Sequence, residues 1–488
     1  MTLFIYNTLS KEKEEFQSIE PHKVRMYLCG PTVYDLLHIG NFRGVIFFNL
    51  VRNWLERNGY DVRFVLNFTD IDDKIITRAQ EEGISTEALT KRYIAAYLED
   101  VQCLHITPHE LNPKCTDHIQ DMITFITQLI DKKSAYVSEG SVFFDISRFS
   151  DYGKLSGKKL EDLIAGHRVD PDPTKKNPLD FVLWKPSKEG EPYWDSPWGK
   201  GRPGWHIECS AMNHCIHGDQ IDIHGGGIDL IFPHHENEIA QSESLTGKSF
   251  SRYWMHNNFI RFGNDKMSKS LGNVIKARDY MTQFHPEILK FLMLSVHYRS
   301  ELSIDNKQTH QAIGRLSRIY HALKTAQELS QDTQATPLPF IETLNTAEQR
   351  ISDALNDDFN TPVVFAAFFD VIREFNQLCN QLKKKDPSLK SAAYALSTFI
   401  ETKGALFSLF QENSDSFLKA LDMILVKEKN IDIRHVEALI QQRNDARKNK
   451  DFSLSDSIRD KLTDMSILIQ DTPNGTVWEM DKYSDSVD

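Results

Sequence analysis

The chain has 488 residues, of which 40% are apolar and 26% charged, so it exceeds what one hydrophobic core usually serves and reads as a folded protein of two to four domains. With 57 Lys and Arg against 69 Asp and Glu the formal charge is −12, which excludes a protein that coats nucleic acid nonspecifically but leaves room for a local basic face. The apolar stretches near residues 45–51 and 122–130 are too short and interrupted to span a bilayer, and residues 1–10 lack a basic region followed by an apolar core. Six cysteines (Cys29, Cys103, Cys115, Cys209, Cys215, Cys379) show no framework spacing, so reduced thiols and a cytoplasmic location are expected.

Residues 24–29, 40–58 and 61–68 read as strand, helix and strand, with Val62, Phe64, Leu66 and Phe68 alternating, and begin a parallel nucleotide-binding sheet. Between the first strand and the helix lies Pro31-Thr32-Val33-Tyr34-Asp35-Leu36-Leu37-His38-Ile39-Gly40-Asn41. Free N–H groups and the helix dipole favour phosphate there, Gly40 lets a nucleotide approach, and His38 can donate a hydrogen bond; taken alone, His38 reads better as a loop histidine capping a helix. Helical patterns at 86–103 and 117–132 lead into a hairpin, 135–137 to 141–144, turning at Glu139-Gly140. Residues from about 151 to 200, rich in Gly, Pro, Lys and Trp, read as an insertion between two halves of the sheet, which resumes at 204–212 and 220–224.

Lys266-Met267-Ser268-Lys269-Ser270 sets two ammonium groups three residues apart among small residues, a loop able to follow negative charge from an α-phosphate onto departing pyrophosphate. A helical pattern begins at Pro286. Amphipathic segments at about 308–329, 340–355, 362–384 and 389–410 then suit an all-helical bundle, with residues 331–339 as a loop between the first two. In residues 436–448, Arg443 and Arg447 lie one turn apart and give a basic stripe on an amphipathic helix. The acidic tail after Met480 is expected to be disordered.

His234 and Glu238, at i and i+4, project from one face if a helix starts near Pro233. Cys29, at the end of the first strand, and Cys209 could complete a set of two thiolates, one imidazole and one carboxylate suited to zinc. The four are far apart in sequence, however, and a buried strand Cys is usually a small hydrophobe. A zinc-protease reading of His235-Glu236 fails because Ile239 stands where His-Glu-x-x-His needs its second His.

In this order, His38-Ile39-Gly40-Asn41 and Lys266-Met267-Ser268-Lys269-Ser270 resemble the two signatures of class I aminoacyl-tRNA synthetases. Together with the ligand pattern and with residues 67–74, 204–212, 222–227, 234–241 and 356–362, the chain resembles the cysteinyl-tRNA synthetase family over nearly its full length. Asn41 departs from the second His of many class I enzymes, as is common in this family.

The resemblance implies an α/β fold: a Rossmann-like parallel-sheet catalytic domain (1–265) with an inserted subdomain (about 110–200), a signature-loop and stem-contact region (266–305), an all-α helical bundle (306–412), a small C-terminal anticodon-binding domain (413–480) and a disordered tail (481–488). It implies ATP-dependent activation of L-cysteine and its transfer to tRNA(Cys), by a monomer with one Zn²⁺ on Cys29, Cys209, His234 and Glu238 and with Mg²⁺ accompanying ATP. His38, Gly40, Asn41, Gly225, Gly226, Lys266 and Lys269 are implied for ATP, with His38, Lys266 and Lys269 catalytic. Thr69, Trp205, His206 and His235 are implied for the substrate pocket, and Arg443, Arg447 and Trp478 for tRNA. Zinc separates a thiolate from a hydroxyl directly, so no editing domain is needed. Alternatives are a cysteine:amino-sugar ligase, which would lack the C-terminal module, and a nonenzymatic RNA-binding relative. A persulfide-forming side activity with pyridoxal phosphate on lysines of Lys74-Ile75-Ile76-Thr77-Arg78 is a further family-level expectation.

Overall fold

The computed structural model describes residues 2–159, 172–262, 265–266, 275–330, 337–472 and 475–483. A four-stranded parallel sheet forms its centre, in the order Ser251–Asn257, Ile221–Gly227, Lys23–Leu28, Asp61–Leu66. The chain therefore leaves after the outer strand Asp61–Leu66 and returns beside Lys23–Leu28. That crossover leaves a crevice at the strands' carboxyl ends, where open α/β sheets bind ligands.

Helix Ile39–Arg57 buries thirteen of its 19 residues, more than one amphipathic face can account for. Its inner side packs on the sheet and its outer side is covered by the helical region: Trp54 Nε1 donates to Asn356 Oδ1 (3.1 Å) and Asn49 Nδ2 to Ser408 Oγ (3.2 Å). The terminal nitrogens of its two buried arginines donate to backbone carbonyls, Arg43 to Asn258, Phe259 and Ser300, and Arg52 to Thr107 and Pro108, with Arg52 also meeting the Glu110 carboxylate. Such pairing offsets the cost of burying charge.

Between the sheet halves lies an antiparallel sheet of Ala135–Ser138, Ser141–Phe144, Phe181–Pro186 and Gly201–Pro203 with its own apolar core. Helix Asp73–Glu82, which the sequence pattern did not suggest, is capped by Asp72 accepting from Lys74 N and closed by Gly83 at φ 64°. Helices Asn306–Leu329, Leu338–Asn356, Thr361–Gln381 and Pro387–Gly404 form the bundle. The last ends six residues before the expected 410, because the chain turns through Ser408 (φ 54°) and Phe410 (φ 62°) back toward the catalytic region. There Phe410 N donates to Glu287 Oε1 at 3.0 Å. Helices Ser414–Glu428, Ile433–Lys448 and Phe452–Asp464 and the hairpin Ile467–Thr472/Gly475–Met480 complete the chain.

Buried Asp358 ties three parts together, accepting from Tyr6 N (2.9 Å), Tyr298 Oη (2.6 Å) and Arg299 Nε (2.8 Å). Among the described residues no helix is long and apolar enough to cross a membrane. The start of the expected disordered tail is corrected: Lys482 is buried, with Nζ 2.6 Å from Asp422 Oδ1, because this carboxylate gives the ammonium a partner against the bundle. Residues 484–488, like 331–336 of the expected bundle loop, lie outside the described residues.

Candidate active site

The crevice above the sheet holds a cleft of about 500 Å³ lined by Cys29, His38, Gly40, Asn41, Trp205 and Gly226, among others. His38 sits at the N-cap of helix Ile39–Arg57 with extended φ/ψ, and its N–H donates to Asn41 Oδ1 at 3.1 Å. A Cβ on Gly40 would lie 2.9 Å from the His38 ring, so a larger residue there would displace it. Both sides of the second signature are held near the first. Ile39 N donates to Ile275 O (3.0 Å) and Ala277 N to Leu37 O (2.9 Å), while Lys266 lies in the short strand Asp265–Lys266 beside Ile260–Phe262. Lys269 lies outside the described residues.

At the base of the cleft the structure brings together Cys29, Cys209, His234 and Glu238, whose ligand atoms all lie within 4.8 Å of one another. Strand Lys23–Leu28 delivers Cys29, helix Trp205–His217 delivers Cys209, and the turn Ile231–His235 with helix Glu236–Thr246 delivers the other two. That helix starts at Glu236 rather than near Pro233, because Phe232 is extended (φ −137°, ψ 130°), yet His234 Nε2 still reaches Glu238 Oε1 at 3.2 Å. Cys29 Sγ is 3.6 Å from Cys209 Sγ and 3.3 Å from Glu238 Oε1. Two sulfurs about 2.3 Å from one ion at the tetrahedral angle lie about 3.8 Å apart, so the set has the edges of a four-coordinate metal site, far longer than a disulfide.

Burial pushes the Cys29 thiol well above its ordinary value and the His234 imidazole down to about 3, so the histidine is a neutral donor. Burial pushes the Glu238 carboxyl up most strongly of any single cause, but His224, His234 and the Cys29 hydrogen bond together leave the group below its usual value. A second group, Cys29, His224, His235 and Glu238, overlaps the first. It fits less well: His224 Nε2 is a hydrogen-bond partner of Glu238 Oε2 at 2.9 Å, and His235 Nε2 stays 3.9 Å from Glu238.

Several expected site residues stand elsewhere. Trp205 lines the cleft, 41% exposed, and stacks on His234 at 4.3 Å, whereas His206 lines a smaller neighbouring cavity of about 200 Å³ and sets Nδ1 3.0 Å from His234 Nδ1. Thr69 is turned away from the cleft: its Oγ1 donates to Glu208 Oε2 (2.7 Å), a carboxyl that burial pushes up to about 8. His235 is also withdrawn, with Nδ1 2.8 Å from His256 Nε2 and its ring beneath Gly226, where a Cβ would lie 2.6 Å from it. Gly225 does not border the cleft: a Cβ there would lie 2.2 Å from the Phe48 ring, so this glycine admits the helix to the sheet.

In the C-terminal unit, Arg443 is only 4% exposed and forks onto Asp471 (2.8 and 3.0 Å), and Arg447 joins the same carboxylate. The exposed basic stripe is therefore corrected: Arg443 staples the helix to the hairpin, and Arg447 alone of the pair is solvent-facing. Trp478 is partly buried against the apolar core.

Sequence reasoning missed His224, Glu208 and Cys115. His224 was visible only as part of residues 222–227, and its alternation with Ile221 and Ile223 in a buried strand was the available signal.

Residues 15–314 match the family described as tRNA synthetases class I (C) catalytic domain, and residues 350–411, within the bundle, match the DALR domain. The chain is 49% identical over 481 residues to the Cysteine--tRNA ligase of Bdellovibrio bacteriovorus, covering 98% of this chain and 100% of that one. It is 44% identical to the Cysteine--tRNA ligase of Aquifex aeolicus, with 98% and 99% covered. Among solved structures, Mycobacterium tuberculosis methionyl-tRNA synthetase in complex with methionyl-adenylate shares the fold, with a TM-score of 0.58 at 14% identity over 81% of this chain and 93% of that one. With a catalytic-domain match over most of its length and such relatives end to end, the chain belongs to the cysteine–tRNA ligase family of class I synthetases.

Proposed function

We propose that the protein activates L-cysteine with ATP and transfers it to tRNA(Cys), working as a cytoplasmic monomer. The observation that carries this reading is the opening of the two-thiol, one-imidazole, one-carboxylate set, through Cys29, into the same cleft that His38, Gly40 and Asn41 border. One Zn²⁺ held by Cys29, Cys209, His234 and Glu238 supplies, when bound, a soft Lewis-acid contact that accepts a cysteine thiolate and not a serine hydroxyl.

The protein's own groups do the rest. Trp205 closes one side of the pocket beside the ligand His234. His38 and the N-terminus of its helix receive the phosphates with their Mg²⁺, and Asn41 and Gly226 border the nucleoside. Lys266 and Lys269 carry positive charge to the departing pyrophosphate. The cysteine carboxylate attacks the α-phosphate to give cysteinyl-adenylate and pyrophosphate, and a terminal tRNA ribose hydroxyl then attacks the cysteinyl carbonyl, breaking its bond to phosphate and releasing AMP and a proton, so catalysis is mostly positioning and charge stabilisation. Arg447 and Trp478 are tRNA contacts in this reading, and Arg443 supports them through Asp471.

The test is cysteine transfer from ATP with tRNA(Cys), with an amino sugar, and with neither acceptor. Charging that requires tRNA(Cys) supports the reading. Cysteine transfer to the amino sugar without tRNA, or no cysteine activation at all, would replace it with the ligase or RNA-binding alternative.

A further inference from the structure

Away from the cleft, His118, Asp121 and Cys215 place an imidazole nitrogen, a carboxylate oxygen and a thiol sulfur within 4.8 Å of one another. His118 is the N-cap of helix Ile119–Asp131, but its side chain makes no cap hydrogen bond; its Nδ1 lies 2.8 Å from Asp121 Oδ2 in the first turn instead. Cys215 comes from the last turn of helix Trp205–His217, about 9 Å further along it than Cys209 and on another face. The two helices pack directly, Phe125 meeting His214 edge-on at 5.7 Å, so the backbone already holds the three side chains together.

The neighbouring polar groups are committed elsewhere. His214 turns Nδ1 toward Asp219 (3.5 Å), and Asp117 pairs with Lys114 (3.2 Å). Among the described residues no Lys or Arg lies within ion-pair distance of the Asp121 carboxylate, whose partner is the His118 ring. An ion can reach the three groups from solvent, since the His118 and Asp121 side chains are 19% and 44% exposed and Cys215 is exposed as well. Tetrahedral ligands about 2.0–2.3 Å from one ion lie about 3.3–3.5 Å apart, so side-chain shifts of about 1 Å close this set on a metal.

We propose that His118, Asp121 and Cys215 form a second, outer site for a borderline-soft divalent cation of the Zn²⁺ type, with the fourth position open to water or a small thiol. A thiolate and an imidazole favour such an ion over the hard Mg²⁺ and Ca²⁺, which prefer oxygen ligands. His118 binds through Nδ1 with its proton on Nε2, and Cys215 releases its thiol proton to solvent. The ion fastens helix Ile119–Asp131 to the helix that carries Cys209. Three ligands in an exposed setting make this an exchangeable site, independent of the buried four-ligand one.

The experiment uses the full chain in millimolar Mg²⁺ with Zn²⁺ alone as the probe, comparing wild type, Cys215→Ser and His118→Ala. Equilibrium dialysis is expected to give wild type one Zn²⁺ more per chain than either variant. In wild type, added Zn²⁺ should slow iodoacetamide alkylation of Cys215 about tenfold or more, while exposed Cys103, read by peptide mapping in the same sample, keeps its rate. Equal zinc content in wild type and Cys215→Ser would overturn the proposal. So would unchanged alkylation of Cys215, equal slowing at Cys103, or protection of Cys215 that survives in His118→Ala.

Discussion

Two junctions of helix and strand in this molecule concentrate polar side chains, and they do opposite things with them. At the base of the cleft, Cys29, Cys209, His234 and Glu238 converge, and around them His224 Nδ1, His235 Nε2 and Asn67 Nδ2 have no hydrogen-bond partner among the described residues. In the C-terminal unit, Arg443, Arg447, Thr476 and Asp471 also converge, but each charge meets its opposite: Asp471 accepts from both arginines and from Thr476 Oγ1. A cluster that cancels its own charge fastens a helix to a hairpin. One that buries donors of like kind without cancelling them is built around something else, and its upkeep falls on the surrounding fold.

The comparison breaks most visibly at the ligands. Cys209→Ser is expected to lose bound zinc and to lower cysteine activation by well over a hundredfold, beyond the range of an outer-shell change, as read by metal content and pyrophosphate exchange. Gly225→Ala tests the frame around the site: a methyl 2.2 Å from the Phe48 ring should destabilise the catalytic unit by about 2 kcal/mol in urea unfolding, with metal binding retained at low denaturant.

Arg443→Ala tests the self-cancelling cluster. The Asp471 side chain is 42% exposed, so solvent screens it, and a loss of about 1–2 kcal/mol confined to the C-terminal unit is expected by hydrogen exchange. The pH dependence has a definite sign. Hydrogen bonding from Arg443, against some burial, holds the Asp471 carboxyl well below its ordinary value, so the clamp contributes fully above about pH 4 and fades as pH falls further. Lower protection of the hairpin strands Ile467–Thr472 and Gly475–Met480 near pH 3 than at pH 5, after correction for the intrinsic pH dependence of exchange, is the expected result, and Asp471→Asn should remove that difference. Arg447→Ala, at a 45% exposed side chain, should cost less than about 1 kcal/mol of stability while raising the tRNA KM a few-fold and leaving pyrophosphate exchange unchanged.

The two regions were unequally legible in the sequence. The parallel sheet, the insertion hairpin and the bundle follow from local periodicity, and the nucleotide signature from strand, loop and helix in immediate succession. His234 and Glu238 were visible because i and i+4 spacing is local. His224 was not, because its relevance arises from register between strands nearly two hundred residues apart in the chain. Gly225 was misread for the same reason, its close neighbour being Phe48 on a distant helix. Arg443 looked like half of a surface stripe because Asp471, which buries it, arrives only when the hairpin folds back. Periodicity reports which face of an element is apolar; it does not report which polar group another element will bring to that face.

The most direct test of the central claim is ATP–pyrophosphate exchange by the full chain with cysteine and with serine, before and after complete removal of bound metal. The account predicts exchange with cysteine and none with serine, lost on chelation and regained with added zinc. Cysteine-dependent exchange that persists undiminished in protein shown to be metal-free would contradict it.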